Sequence, residues 1–413
     1  MVETSKDLTK KWERKHFGQI FQFLKTASNP RDDLCKYEND DDYKYIHYGD
    51  VHTHTSIFLD CANTTLPYIS RKKIQNTPTI QEGDIVMVDA SEDYAGLGKS
   101  VEIKNLHEEK IVAGLHTFLL RGKKEHVIDG FKALIQFIPE FRNSLNVLAT
   151  GVSVYGISKN NLKNVEISLP EPSEQLKITE ILSEIISLID SLNSLIQKKK
   201  NIKHGTMQEL LTGKRRLEGF SGEWESKTLD KVANFFSGGT PLTSISEYYG
   251  GEIPWIVSGD LNSRFIIEVN GRITEKGLNN SSAKMVKENT LLIALYGATA
   301  GVVAISLIRA SINQAVLAII PCSIDTKFLF YKLEFLKDWI ITTYTQGGQP
   351  NLSANIIKSI KMEFPSEDEQ EAISKILSDM DSEIEQLESQ KEKYINLKQA
   401  MMQKLLTGEI RLV

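Results

Sequence analysis

Three groups of residues have the types and spacing to do chemistry. Asp84 and Asp89 followed by Glu102-Ile103-Lys104 supply carboxylates that could hold a divalent cation beside a lysine, the makings of a nuclease site. Gly98-Lys99-Ser100 ends like a phosphate-binding loop, but the first glycine of that motif should stand at position 93, which is Asp93. Neither pattern returns in the second half of the chain, where Gly297 to Val303 has no lysine and no Glu-x-Lys follows. His47, His52 and His54 lie near Cys61 and have the types of a zinc site, yet the paired Cys-x-x-Cys spacing is missing and polar loop histidines are the better reading. An Asn-Pro-Pro-aromatic motif and a Gly-rich cofactor loop after a strand are both absent from the sequence. The expectation is a chain with no catalytic residues, no metal and no cofactor.

Composition sets wider bounds. At 413 residues, 41% hydrophobic and 25% charged, the chain has room for two or three ordinary globular domains. No stretch approaches the apolar length of a membrane span, and Met1-Val2-Glu3-Thr4-Ser5-Lys6 lacks the features of a signal peptide. Three widely spaced cysteines, Cys35, Cys61 and Cys322, fit a reducing compartment, so a cytoplasmic protein is expected. A net charge of −5 speaks against a polyanionic partner when averaged over the whole chain. The charges are segregated, however. Basic clusters stand at Lys10-Lys11, Arg71-Lys72-Lys73, Lys198 to Lys200 and Lys214-Arg215-Arg216, and acid gathers at Asn39 to Asp42 and Asp379 to Glu388.

The elements that must position any site come in two copies. Leu169-Pro170, Glu174-Gln175, Ile178, Ile181-Leu182-Ser183, Met207-Gln208 and Leu210-Leu211-Thr212-Gly213 return as Phe364-Pro365, Glu369-Gln370, Ile373, Ile376-Leu377-Ser378, Met402-Gln403 and Leu405-Leu406-Thr407-Gly408, every pair offset by 195 positions without a gap. A repeat this long and ungapped is one structural unit used twice. Its apolar residues recur at three-four spacing, and each copy begins after a proline with acidic residues and stops at Thr-Gly, the signature of a long helix. About 38 residues at 1.5 Å rise make a rod of roughly 55 Å, and two such stripes should zip into an antiparallel coiled coil. The intervening segments alternate β-like runs such as Asp84 to Val88 and Leu291 to Ala294 with Gly-rich turns. They are distant copies as well: Gly49-Asp50 answers Gly259-Asp260, and Trp12-Glu13 answers Trp224-Glu225. The expected fold is α/β (α+β), with two similar domains at 1–168 and 217–363 separated by long helices at 169–216 and 364–413.

This order of motifs resembles the specificity subunit of type I DNA restriction-modification systems. The resemblance rests on Pro-x-x-x-Glu-Gln at Pro170 to Gln175 and Pro365 to Gln370, the closing Leu-Leu-Thr-Gly, the junction Gly213 to Phe220 leading into Trp224, and Ser237 to Pro241, Ile253 to Ile256, Tyr296 to Thr299 and Ile312 to Gln314. It implies a non-catalytic reader of double-stranded DNA in which two target-recognition domains each take one half of a split, asymmetric site. It also implies helices that act as ruler and dock for two methyltransferase subunits, with endonuclease and translocase subunits joining that core. A protein-only interaction scaffold is the rival reading.

The resemblance directs attention to loops rich in small polar residues. In the first domain the expected DNA contacts are Lys25, Ser28, Asn29, His47, His52, Thr53, His54, Arg71, Lys72, Lys73, Tyr94 and Lys99. In the second they are Thr240, Thr243, Ser258, Asn262, Arg264, Tyr296, Thr299, Gln346, Gln349 and Asn351, with Arg264 the sole cation of its loop. Asp260 is expected to brace its turn rather than read a base. Glu174, Gln175, Glu369 and Gln370, duplicated where the loops are not, are the expected docks for identical partner subunits.

Overall fold

The computed structural model describes residues 12–37, 42–74, 76–345 and 351–412. Lys10, Lys11, Gln346 and Gln349 lie outside them. The chain forms two compact units that cut across its linear order: one takes the residues up to Ser194 together with those from Glu388 onward, and the other is Leu195–Leu387. The reason is the pair of long helices, Pro172–Leu210 and Glu367–Leu405, each of which gives one half to each unit.

Each unit is built on a five-stranded sheet of the same topology. In the first, the order is Phe21–Leu24, Thr117–Gly122, Ile85–Val88, Ser100–Lys104, Phe58–Asp60, antiparallel except for the last pair. In the second it is Ala233–Ser237, Val316–Pro321, Thr290–Ala294, Val303–Ser306, Phe265–Ile266, again with only the last pair parallel. The continuous apolar runs seen in the sequence are strands buried on both faces. Side chains alternate across a strand, so Ile85 and Met87 join one core while Val86 and Val88 join another. Leu291 and Ile293 part from Leu292 and Ala294 in the same way.

The face carrying Ile85 and Met87 packs on the helices. Ile178, Leu182, Ile185 and Ile189 from the first half of the mid-chain helix share its core with Met402, Leu405 and Leu406 from the end of the C-terminal helix. In the second unit Met207, Leu210 and Leu211 meet Ile373 and Leu377. The start of one helix lies with the end of the other in both units, which is antiparallel pairing.

The Pro-x-x-x-Glu-Gln motif closes each unit from inside, and this corrects the docking assignment. Gln175 donates to the carbonyls of His126 and Pro170 and accepts from the Ile128 amide at 3.1 Å. Gln370 repeats the arrangement with Pro365 and the Asp325 amide. Glu174, 2% exposed, accepts from Nε and Nη2 of Arg411, both at 2.8 Å, and from the Leu412 amide and the Trp12 indole. Glu369, 1% exposed, accepts from Nε and Nη2 of Arg216 at 2.7 and 2.6 Å. Each guanidinium lies over a tryptophan, Arg411 on Trp12 at 5.7 Å and Arg216 on Trp224 at 5.8 Å. The Thr-Gly stops bring these arginines round. Gly213 and Gly408 take φ of 70° and 72°, the left-handed conformation that ends a helix and suits glycine. An added Cβ would stand 3.4–3.5 Å from the Trp224 and Trp12 rings. None of the four expected docking residues therefore faces a partner.

Burial pushes the Glu174 carboxyl upward, but the Arg411, Leu412 and Trp12 donors outweigh it and hold it below its ordinary value. A depressed acid stabilises the fold above its unfolded pKa, and the contribution is lost as pH falls through the carboxylate range. Replacing Arg411 by Ala strands the buried Glu174 carboxylate and should cost about 3–5 kcal/mol in chemical denaturation, and Arg216→Ala should destabilise in the same direction. A loss below about 1 kcal/mol, with partner assembly impaired instead, would return these residues to a docking role.

Candidate nucleic-acid interface

One set of backbone hydrogen bonds frames a loop cluster in each unit. In the first, Ala27 N donates to Ala113 O, Gly114 N to Ile46 O, Asp89 N to His116 O, and Ile157 N to Asp89 O, at 2.9–3.2 Å. In the second, Gly239 N donates to Ile312 O, Asn313 N to Ile256 O, Leu295 N to Ala315 O, and Leu352 N to Leu295 O, at 2.6–3.1 Å. Five separated segments thus meet at one place in each unit. They carry most of the expected contact loops.

In the first unit the short helix Tyr48–Thr53 faces the turn after Ala90–Ser91 across a pocket of about 460 Å³ lined by Tyr48, His52, Thr53, Ser91, Asp93, His116 and Val154 among others. Tyr48 meets His52 and His116 edge-on at 6.0 and 5.6 Å, and Tyr94 stacks on Tyr155 at 4.1 Å. Thr53 and Tyr94 are exposed, and His52 bonds the Ala90 carbonyl. Asn29 and Lys73 both donate to Asp33, at 3.0 and 2.6 Å, which ties the loop of Ser28 to the exposed Arg71-Lys72-Lys73 turn. Lys25 and Ser28 are exposed nearby in sequence.

In the second unit Thr240 bonds Gln314, and Tyr296 pairs with Asn351 in an isolated bridge. Asn262 is exposed and donates to its own turn at Gly259 O, 3.1 Å. Thr243 is exposed, while Ser258 and Thr299 are half-buried. Asp260 braces the turn by accepting from Val257 N at 2.8 Å, as Asp50 does from His47 N at 2.9 Å.

Three expected contacts are drawn inward. His47 is 5% exposed, and its Nδ1 accepts from the Gly49 amide. Lys99 turns its ammonium to the carbonyls of His52 and His54 at 2.6 and 2.8 Å, so it fastens a loop. Arg264 is the larger correction. Its guanidinium makes paired hydrogen bonds to Glu334 at 2.6 and 2.9 Å and to Asp381 at 3.1 and 3.1 Å. Lys203 and the Tyr331 hydroxyl complete the network on Asp381 at 2.5 and 2.7 Å. Arg264 joins its strand to the helices, with no fork left to read guanine.

The motifs that imitate enzymes have structural employment. Glu102 is 0% exposed and caps the helix Phe131–Leu134 by accepting from Gly130 N and Ala133 N. Burial raises its pKa against the pull of Lys104. Asp84 is paired with Arg121 at 2.7 Å. His54 bonds the Phe58 carbonyl, and burial pushes the Cys61 thiol up to about 12. Among the described residues no cluster of three His, Cys, Asp or Glu is placed to hold a metal ion, and no helix is long and apolar enough to cross a membrane. His116 and Gln314, which the expected contacts omit, lie on the segments that bond Asp89 and Leu295, His116 at the place of Ala315 and Gln314 at that of Leu115. Their signal in the sequence was position alone, between two strand-like runs.

Fold and loops together define a duplicated α/β module whose variable part is a surface. The family model described as type I restriction modification DNA specificity domain matches residues 9–203 and 221–397, and the chain belongs to that family. It is 33% identical over 182 residues to the type I restriction enzyme MjaIX specificity subunit of Methanocaldococcus jannaschii, covering 41% of this chain and 40% of that one. Against the putative MjaX specificity subunit of the same organism it is 28% identical over 341 residues, 78% of this chain and 76% of the relative. Against the EcoR124I/EcoR124II specificity subunit of Escherichia coli it is 26% identical over 237 residues, 54% of this chain and 57% of the relative. The alignments thus span from under half to about three quarters of these relatives. The crystal structure of a type I restriction-modification S subunit from M. genitalium superposes with a TM-score of 0.61 at 17% identity, covering 98% of this chain and 99% of that one, a likeness of fold.

Arg264→Ala leaves Glu334 and Asp381 with Lys203 as their remaining cation and should destabilise the second unit by less than the about 3–5 kcal/mol that a wholly uncompensated buried charge costs. In the protein that remains folded, base preference should be unchanged. A relaxed preference at undiminished stability would restore Arg264 as a reader.

Proposed function

We propose that the chain is the DNA sequence-specificity subunit of a type I restriction-modification complex and is itself non-catalytic. Each unit's loop cluster reads one half of a split, asymmetric site in double-stranded DNA, and the paired helices set the distance between halves. The supporting observation is the loop frame: the same four hydrogen bonds recur in both units. The side chains they present differ, Tyr48, His52, His116 and Tyr155 against Ser258, Asn262, Gln314 and Asn351. One frame with unlike contents suits two unlike half-sites, whereas a palindrome would call for identical contents.

Two methyltransferase subunits dock on the helices, with endonuclease and translocase subunits added to that core. Exposed apolar side chains support this reading. Ile202 and Leu397, 44% and 48% exposed, are equivalent under the 195-residue offset and offer matching surface to two identical partners. A protein-only scaffold would give no reason for Tyr48, Tyr94 and Tyr296 to be exposed within loops of small polar residues.

Exchanging residues 1–168 for the corresponding part of a relative should change one half of the methylated sequence and leave the other intact, read by methylome sequencing. A change in both halves would contradict independent reading.

A further inference from the structure

The two units differ where the sheet meets the helices. Arg264 corresponds to Ile57, because Ile305 N donates to Arg264 O as Glu102 N donates to Ile57 O. The Gln370 and Gln175 bonds align Asp325 with Ile128. Counting forward, Tyr331 falls on Leu134 and Glu334 on Phe137, and the helix offset sets Asp381 on Ile186 and Lys203 on Lys398. The buried ionic network of the second unit is therefore replaced by Ile57, Leu134, Phe137 and Ile186, with only the lysine kept.

In its place the first unit has a cavity of about 790 Å³, within the ordinary range for small-molecule sites. Lys99, Arg142 and Lys398 line it against one carboxylate, Asp190. Lys99 and Arg142 are held by backbone carbonyls, Arg142 by those of Leu97, Tyr94 and Ala95, and the acid that acts on Arg142, Asp93, is not among the residues lining the cavity. Ser100 also lines the cavity. It is 2% exposed, and its buried hydroxyl makes no hydrogen bond among the described residues. Tyr94 and Phe137, 46% and 39% exposed, offer ring faces, and Asn146 and Asn193 offer amides.

We infer that this cavity is an anion site for a phosphate-bearing ligand of nucleotide size, its phosphate among Lys99, Arg142 and Lys398 and its base against the ring faces. The phosphate could belong to a free nucleotide or to the backbone of bound DNA. The inference does not depend on base reading by the loop clusters, since binding of AMP is measured without DNA.

The test is calorimetric titration of the full chain with AMP and with inorganic phosphate, repeated on Lys398→Glu and on Asn193→Trp, both on the helices and both checked for parental thermal unfolding. The expected result is AMP binding competed by phosphate and weakened at least tenfold in each variant. If duplex DNA leaves the AMP affinity unchanged, the ligand is a free nucleotide; if DNA displaces AMP, the site takes a backbone phosphate. Absence of AMP and phosphate binding up to ~10 mM, or binding indifferent to both variants, overturns the inference.

Discussion

Two buried carboxylates hold this protein together. Glu174 and Glu369 each sit at the start of a long helix and are met by an arginine that follows the Thr-Gly stop of the other helix. A paired, hydrogen-bonded charge in such a place adds little over a well-packed apolar residue, but a missing partner is costly, so the pair enforces one arrangement. It requires the helices to run antiparallel, and it fixes where each tryptophan and its following strand begin. The sheet and its loop cluster then inherit their position from that anchor.

Duplication makes the anchor do the same work in both units while leaving the loops at liberty. The backbone frame around each cluster is made of main-chain hydrogen bonds, which are indifferent to the side chains presented. Recognition residues can therefore diverge with little effect on the fold. The same independence extends to the junction with the helices, where one unit uses an Arg264, Glu334, Asp381, Lys203 and Tyr331 network and the other leaves a cavity lined by Lys99, Arg142 and Lys398.

The helices, their antiparallel sense and the α/β domains were legible because they depend on local periodicity and on an ungapped repeat. The bracing of Asp260 was legible for a like reason: its partner is three residues away. Long-range partners were not. Arg264 reads as a surface cation in a polar loop, but its acids lie 70 and 117 residues away, and only the fold brings them near. Glu174, Gln175, Glu369 and Gln370 were misread because a repeat reveals equivalence and says nothing of exposure. His116 and Gln314 were not named as contacts since neither stands in an obvious turn, and their place in the cluster comes from strand pairing.

In the proposed function, two unlike loop clusters on one anchored frame read two unlike pieces of one site. Selection of bound duplexes from a randomised library, using the chain in complex with the proposed methyltransferase subunits, distinguishes this arrangement from a single reading surface. The expected result is two short unlike conserved blocks separated by an unconserved gap of constant length. A single contiguous block, a palindromic pair, or blocks at variable spacing would contradict it.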